Sequence, residues 1–205
     1  MIKKKIIMGF VLISIFILCS CETSVENNNE MSAQEDLTQE VSTTVLTEEK
    51  LKWLIDENIY CNLNVFGMNS LPGKENAIEH EGRTLYPVDE SVFADFATFE
   101  EYVRSVYCDE TASLYLYESP YPNEPLYVNV DGKLYVDMRY AGGKGYYVDW
   151  SGYSFEIKNQ DENRCEFTVT ASIEEPGEVS EKVPYTVECV AVFENGRWVL
   201  EKMIY

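Results

Sequence analysis

CEFTVTASI, residues 165–173, is the stretch that decides the fold. Its odd-numbered residues are apolar and its even-numbered residues are polar, without a break. Alternation of this length predicts a β-strand with one face on the core and the other in solvent. Residues 183–193 are apolar at every odd position, and residues 197–205 follow the turn Glu194-Asn195-Gly196. These stretches predict three antiparallel strands that end the chain.

Two helical patterns lie upstream of these strands. Thr47 is predicted to cap a helix whose apolar residues recur at helical spacing until Gly67 ends it. Thr98 and Glu101 form a capping box that predicts the start of a second helix at Thr98. Asp131-Gly132 then predicts a hairpin. Helices followed by strands predict an α+β fold, with N-terminal helices packed on a curved antiparallel β-sheet meander.

The first 21 residues, MIKKKIIMGFVLISIFILCSC, predict the compartment. A basic start followed by an apolar run too short to span a bilayer is typical of a secretory signal. Its end resembles a bacterial lipobox, in which the last cysteine is lipidated. We therefore expect removal of residues 1–20 and a lipid on Cys21. An ordinary secretory signal and an uncleaved anchor are the alternatives.

Residues 21–45 are predicted to be a disordered acidic tether. The segment has no aromatic residue and only isolated apolar ones, so burial cannot offset the entropy of ordering it. A flexible chain of this length reaches about 25–30 Å. The remaining residues, 46–205, are expected to form a single domain held at the outer face of the bacterial cytoplasmic membrane.

The chain is strongly acidic, with a formal net charge of −20. Loss of the three lysines in residues 1–20 would bring this charge to −23. Such a surface repels nucleic acid, so a nucleic-acid partner is excluded. It favours solubility or a basic partner, and we expect a monomer whose membrane contact is the lipid anchor.

Four cysteines remain beyond Cys21, at positions 61, 108, 165 and 189. Outside the cell they could form two disulfides. Alternation directs Cys165 and Cys189 to the core side of neighbouring strands, where they are either bonded to each other or merely packed. Their spacing does not match a zinc site, so no metal and no cofactor are predicted.

The sequence offers little for catalysis. His80 is its only histidine, and a Cys61/His80 pair is the one candidate for nucleophilic chemistry. However, His80 lies in a stretch that reads as a polar turn. The glycine-rich residues 141–145 have neither the spacing nor the following helix of a phosphate-binding loop. We therefore expect a protein that is not an enzyme and assign no catalytic residue.

Aromatic side chains crowd the segment around this glycine-rich stretch. Amphipathic rings beside loops suit partner recognition, which makes these residues a candidate binding surface. The alternative is that they cover the sheet and fill the core, although alternation would send neighbouring tyrosines to opposite faces. The candidate residues are Tyr140, Tyr146, Tyr147, Trp150 and Tyr153.

Four stretches, taken in order over residues 46–205, resemble the peptidoglycan DL-endopeptidase inhibitor family (IseA-like). The resemblance implies a surface protein that binds the catalytic domain of cysteine-type (NlpC-type) cell-wall hydrolases and blocks cleavage of D-Glu–diaminopimelate stem peptides. This chain departs from the family in its lipid anchor and its cysteines, and no binding residue can be transferred. The stretches are LTEE (46–49), TFEEYV (98–103), DGKLYV (131–136) and ENGRWVL (194–200).

The same order of elements also resembles the cone-shaped ketosteroid-isomerase-like superfamily. That resemblance implies a lipoprotein that binds a small ligand or an envelope partner. The two alternatives predict different interiors. A cone requires a deep apolar cavity lined by strand residues, whereas an inhibitor is expected to have a solid core and an open groove between two lobes.

Overall fold

The structure, a computed structural model, describes residues 45–118, 124–140, 148–175 and 181–205. The predicted signal peptide, Cys21 and the tether up to residue 44 lie outside the described residues. None of the described helices is long and apolar enough to cross a membrane. The elements are α1 (Glu48–Tyr60), β1 (Ile78–His80), β2 (Arg83–Pro87), α2 (Phe96–Val106), α3 (Asp109–Ser113), β3 (Tyr127–Val130), β4 (Lys133–Val136), β5 (Val148–Gln160), β6 (Arg164–Glu175), β7 (Glu181–Glu194) and β8 (Arg197–Leu200).

The strands form two antiparallel sheets of four strands each. The order of the first is β1-β2-β4-β3, and the order of the second is β5-β6-β7-β8. The second is the predicted meander, and one sheet is strongly curled, so the α+β prediction is confirmed. The first sheet arises because the Asp131-Gly132 hairpin pairs with β2 through Tyr86 and Val136.

The alternation in β6 and β7 is confirmed. Cys165, Phe167 and Val169 are at most 1% exposed, whereas Glu166 between them is exposed. The register sets Phe167 opposite Cys189. Directly opposed residues of an antiparallel pair share one face of the sheet, so both strands present their apolar side chains to the same core.

The helical stretch that starts with α1 begins after Thr47 and ends at Gly67, as predicted. The Thr47 side chain accepts a hydrogen bond from the backbone N–H of Lys50 at 3.2 Å. Beyond Tyr60 the helix continues as a π-helical segment, Cys61–Phe66, up to Gly67. A Cβ atom at Gly67 would lie 2.3 Å from the backbone oxygen of Asn62, so only glycine fits where this segment closes.

The predicted start of α2 is wrong by a few residues. The N-cap is Asp95, whose carboxylate accepts hydrogen bonds from the backbone N–H of Thr98 at 2.7 Å and from its hydroxyl at 2.8 Å. An ionised carboxylate is a stronger acceptor than a hydroxyl, so Asp95 caps the helix and Thr98 lies inside it.

One apolar core joins the helices to both sheets. Helix α2 contacts β4 of the first sheet and β8 of the second. Its Phe99 packs against Tyr127 of β3, with ring centroids 4.8 Å apart. The buried Tyr127 hydroxyl donates to the backbone oxygen of Val65 at 2.7 Å and accepts from the backbone N–H of Leu71 at 2.8 Å. Both hydrogen-bonding capacities of this phenol are therefore used.

A buried ion pair fixes the end of β4. Asp137 is fully buried, and its carboxylate accepts from Arg83 Nε at 2.9 Å and from Arg139 Nη2 at 2.6 Å. Burial alone would raise the pKa of Asp137, but the hydrogen bonds from Arg139 and Arg83 outweigh burial and lower it. Arg83 also donates to the backbone oxygen of Pro125 at 2.6 Å, which ties β2 to the approach to β3.

The side chain of Asn58 anchors the C-terminal residues. Asn58 is fully buried in α1, and its Nδ2 donates to the backbone oxygen of Ile204 at 3.0 Å. Its Oδ1 accepts from the backbone N–H of Ile204 at 2.9 Å and from the Tyr107 hydroxyl at 3.0 Å. One amide thus satisfies three polar groups from two other parts of the chain.

We predict that Asn58→Ala lowers the free energy of unfolding by about 2–4 kcal/mol, because it leaves several buried polar groups without partners. Urea denaturation followed by tryptophan fluorescence measures the loss. Asn62→Ala is the matched control, since Asn62 Nδ2 makes only a 3.3 Å bond to the same Ile204 oxygen. Equal losses in the two variants would contradict the anchoring role of Asn58.

Candidate functional site

An open groove of about 810 Å³ lies between α1 and the first half of β5. Its floor is apolar and its rim carries charged and hydroxyl groups from both elements. The residues that line it are Lys52, Asp56, Ile59, Leu63, Asp149, Trp150, Ser151, Tyr153, Ser154 and Phe155.

The groove forms where β5 departs from regular pairing. Asp149 is opposite Ser172 and Ser154 is opposite Thr170, so four residues of β5 face one residue of β6. We call residues 150–153 the β5 bulge. The Asp149 carboxylate accepts from the backbone N–H of Ser151 at 3.0 Å and fixes the start of the bulge. A bulge bends a strand and redirects its side chains. Here the bulge contains Trp150 and Tyr153 and gives their side chains different surroundings.

The five candidate aromatic residues have different places. Trp150 is 5% exposed and packs edge-on against Tyr185, with ring centroids 6.5 Å apart. Tyr153 is half-buried and lies in the groove wall. Tyr140 ends the 3-10 turn Met138–Tyr140, and residues 146 and 147 lie outside the described residues. Trp150 is therefore a core residue that also borders the groove, whereas Tyr153 packs against the core and presents a half-buried ring to the groove.

Lys52 and Asp56 of α1 form a fixed polar cluster with Tyr153 of β5. Asp56 accepts from Lys52 Nζ at 2.6 Å through Oδ2 and from the Tyr153 hydroxyl at 2.6 Å through Oδ1. Burial alone would raise the pKa of Asp56, but these two hydrogen bonds outweigh it and lower the pKa. Burial and the contact with Asp56 raise the pKa of Tyr153. At neutral pH, Asp56 is therefore an anion and Tyr153 a neutral donor.

A second concavity of about 360 Å³, which we call the polar hollow, adjoins the groove. Asp149, Ser151 and Ser154 line both. In the hollow, Lys182 Nζ donates to Asp149 Oδ2 at 2.5 Å, and Lys182 together with Ser151 lowers the pKa of Asp149. The remaining lining residues are Gly152, Thr170, Ala171, Ser172, Val183 and Pro184.

The two members of the candidate Cys61/His80 pair lie in different elements, the π-helical segment after α1 and strand β1. Cys61 is fully buried, and its thiol lies 3.5 Å from the Tyr102 hydroxyl, which donates to Glu57 at 2.7 Å. Burial raises the pKa of Cys61 to about 11. His80 is the last residue of strand β1 rather than part of a turn, and it pairs with Arg83 of β2 within the first sheet.

Cys165 and Cys189 are free, buried thiols in the structure. The register sets Cys165 opposite Ala191 and Cys189 opposite Phe167, so the two cysteines are diagonal neighbours on the core face. Burial raises the pKa of both thiols, that of Cys189 to about 12. Their side chains pack as small apolar groups of the core.

Among the described residues, no three His, Cys, Asp or Glu side chains form a group that could hold a metal ion. In comparisons with known proteins, no family model and no curated sequence matches this chain. The interpretation of the site therefore depends on its own geometry.

The α1 half of the groove was not predicted from the sequence. Lys52 and Asp56 are four residues apart, a spacing that predicts an ion pair on one face of a helix. Nothing in that spacing shows that the pair meets Tyr153 of β5, 97 residues later in the chain. Alternation of apolar and polar residues also does not predict the β5 bulge, because the bulge interrupts the period of two.

We predict that native Cys61 and Cys189 react with iodoacetamide at pH 8 at least about 100-fold more slowly than a short cysteine peptide. The raised pKa lowers the thiolate fraction by that order, and burial restricts access further. Mass spectrometry of peptides, digested without reductant, measures each site and also detects any Cys165–Cys189 bond. Labelling in guanidinium is the control, and peptide-like rates in the native protein would contradict the prediction.

Proposed function

We propose that this chain is a lipid-anchored, non-catalytic envelope protein that binds and inhibits cysteine-type cell-wall DL-endopeptidases. The anchor would be Cys21, and the protein would act at the outer face of the cytoplasmic membrane. The open groove between α1 and β5 is the observation that carries the proposal. The resemblance of residues 46–205 to the IseA-like inhibitor family supplies the class of target.

The packing of the curled sheet supports a protein partner over a small ligand held inside a cone. Phe167, Val169 and Ala191 are at most 1% exposed and belong to the core cluster that also contains Leu54 and Leu200. Strand residues that would line a deep cavity in a cone are thus buried in the same core cluster as helix residues. The groove is an accessible concave surface that lies outside this buried cluster.

The chemistry of the groove resembles the anchor region of a protein interface. Ile59, Leu63 and Phe155 give it an apolar floor, and Tyr153 presents a half-buried ring with its hydroxyl held by Asp56. A central apolar pocket with a polar rim is the usual arrangement of energetic hot spots. Side chains already held in place lose little entropy when a partner binds.

The environment of Cys61 supports binding rather than catalysis. A nucleophilic cysteine requires a thiolate and a nearby base. The Cys61 thiol is instead buried, with a pKa near 11, and its polar neighbours are Tyr102, Tyr107 and Glu57. Burial disfavours the thiolate at neutral pH, and the charge of Glu57 adds to this effect; together they outweigh the hydrogen bonds from Tyr102 and Tyr107, which favour the thiolate.

The net charge of −20 supports a basic partner surface. Opposite charges speed association, and salt screens this effect. We therefore predict that the full chain in detergent micelles inhibits a cysteine-type DL-endopeptidase at micromolar concentration, and that inhibition weakens as salt is raised from about 20 to 300 mM. Release of cleaved stem peptide measures enzyme activity.

Ser154→Arg tests whether the groove is the contact surface. Ser154 is exposed and lines the groove, so the arginine should weaken inhibition by about tenfold or more without unfolding the protein. Ala97→Arg, an exposed position on α2, adds the same charge elsewhere and is the matched control. Absence of inhibition by the unmodified chain against several such enzymes would overturn the proposed function, and equal effects of the two variants would place the interface elsewhere.

A further inference from the structure

We propose that the groove and the polar hollow together bind a short zwitterionic peptide in an extended conformation. Lys52 would pair with a carboxylate of the ligand and Asp149 with an ammonium group. This inference goes beyond the proposed function, because it depends on the geometry of the two concavities and not on a hydrolase partner.

The two concavities form one surface around the β5 bulge. The groove and the polar hollow share three lining residues, Asp149, Ser151 and Ser154. An extended ligand can therefore pass directly from the groove into the hollow. Ser151 and Ser154 are exposed, and their hydroxyls can donate to or accept from a peptide backbone. Hydroxyls in the centre, with charged groups at both flanks, suit a polar chain molecule with charged ends.

Each flank carries one fixed ion pair. Lys52 pairs with Asp56 at 2.6 Å, and Lys182 pairs with Asp149 at 2.5 Å. The lysine side chains are more than half exposed, at 58% and 56%. Each pair places a lysine beside a carboxylate, so the two flanks offer both signs of charge and no excess of either. A zwitterion can face Lys52 with its carboxylate and Asp149 with its ammonium group.

The groups that would bind the ligand are already oriented. Asp149 is held by the backbone N–H of Ser151 and by Lys182, and Asp56 is held by Tyr153 and Lys52. An ammonium group has three donors, and the bond from Lys52 to Asp56 uses one of them. Preorganised charges of this kind recognise a ligand with little loss of entropy.

The bulge also leaves room beside its backbone. A Cβ atom added at Gly152 would meet nothing within 4 Å, so the surface of the hollow is open at this point. On the other side, Ile59 and Leu63 offer an apolar floor to an aliphatic side chain. The charge of −20 and the two rim carboxylates disfavour an anionic polymer as the occupant.

Calorimetric titration of the full chain in detergent micelles tests the proposal with three probes. The first is N-acetyl-Ala-Ala-Lys, which carries one ammonium group and one carboxylate; the second carries an acetyl group on the lysine Nε; and the third has its C-terminal carboxylate amidated. We expect the first peptide to bind and each peptide that lacks one of the two charges to bind at least about tenfold more weakly, since charge-assisted hydrogen bonds are worth about that factor. No binding of the first peptide at millimolar concentration, or equal binding of all three, would overturn the proposal.

Variants assign the two charges. Asp149→Asn should weaken binding of the first peptide about tenfold and leave the Nε-acetylated peptide unaffected, whereas Lys52→Met should abolish the difference between the first peptide and the amidated one. Variants that weaken all three peptides equally would overturn these assignments.

A steric block supplies a test that does not alter charge. Gly152→Trp should abolish binding of the first peptide, because the new ring would occupy the hollow, whereas Ala97→Trp should have no effect. Unchanged binding in Gly152→Trp would overturn the proposed site. Hydrolase inhibition without peptide binding would overturn this inference alone, and peptide binding without inhibition would overturn only the proposed function.

Discussion

The hydrogen bonds between the Asn58 side chain and Ile204 are the interaction on which the rest of the structure depends. They join α1 to the residues that follow β8, and the bond from Tyr107 adds the end of α2. Tyr107 is also paired with Leu200, the last residue of β8. These groups are buried, where an unmade hydrogen bond is costly, so only one placement of α1 against the sheet satisfies them together. The groove has α1 as one wall and β5 as the other, and its width is therefore set by contacts made in the core.

Local patterns were sufficient for most of the fold. Alternation in β6 and β7 identified the buried face, and the caps and apolar spacing located α1. Local patterns gave wrong or no predictions in two situations. In one, two nearby residues can both cap a helix, and in the other, a short strand is defined by the strand with which it pairs. Asp95 displaces Thr98 as the cap of α2 because it is the stronger acceptor. Strand β1 has only three residues and pairs only with β2 among the described strands, so its own sequence gives too short a pattern.

The candidate site was predicted only in part, for a related reason. The aromatic residues predicted as a candidate binding surface include Trp150, which is buried, and Tyr153, which is half-buried in the wall of the groove; the binding role stays a prediction. Alternation could not assign the two rings to these places, because the bulge between them inserts residues that no period of two describes. Lys52 and Asp56 belong to a helix nearly a hundred positions earlier, and their role depends on the tertiary contact with Tyr153.

The position of β5 explains why an irregular strand is an advantage here. In the strand order β5 is at one edge of its sheet, where unpaired backbone groups can template unwanted pairing with another chain. A bulge interrupts such an edge and so protects it. The same bulge turns Tyr153 towards Asp56 and opens the space around Gly152. Protection of the edge and formation of the groove thus have one structural cause, and a variant that restored regular pairing in β5 would be expected to lose the groove and expose the edge together.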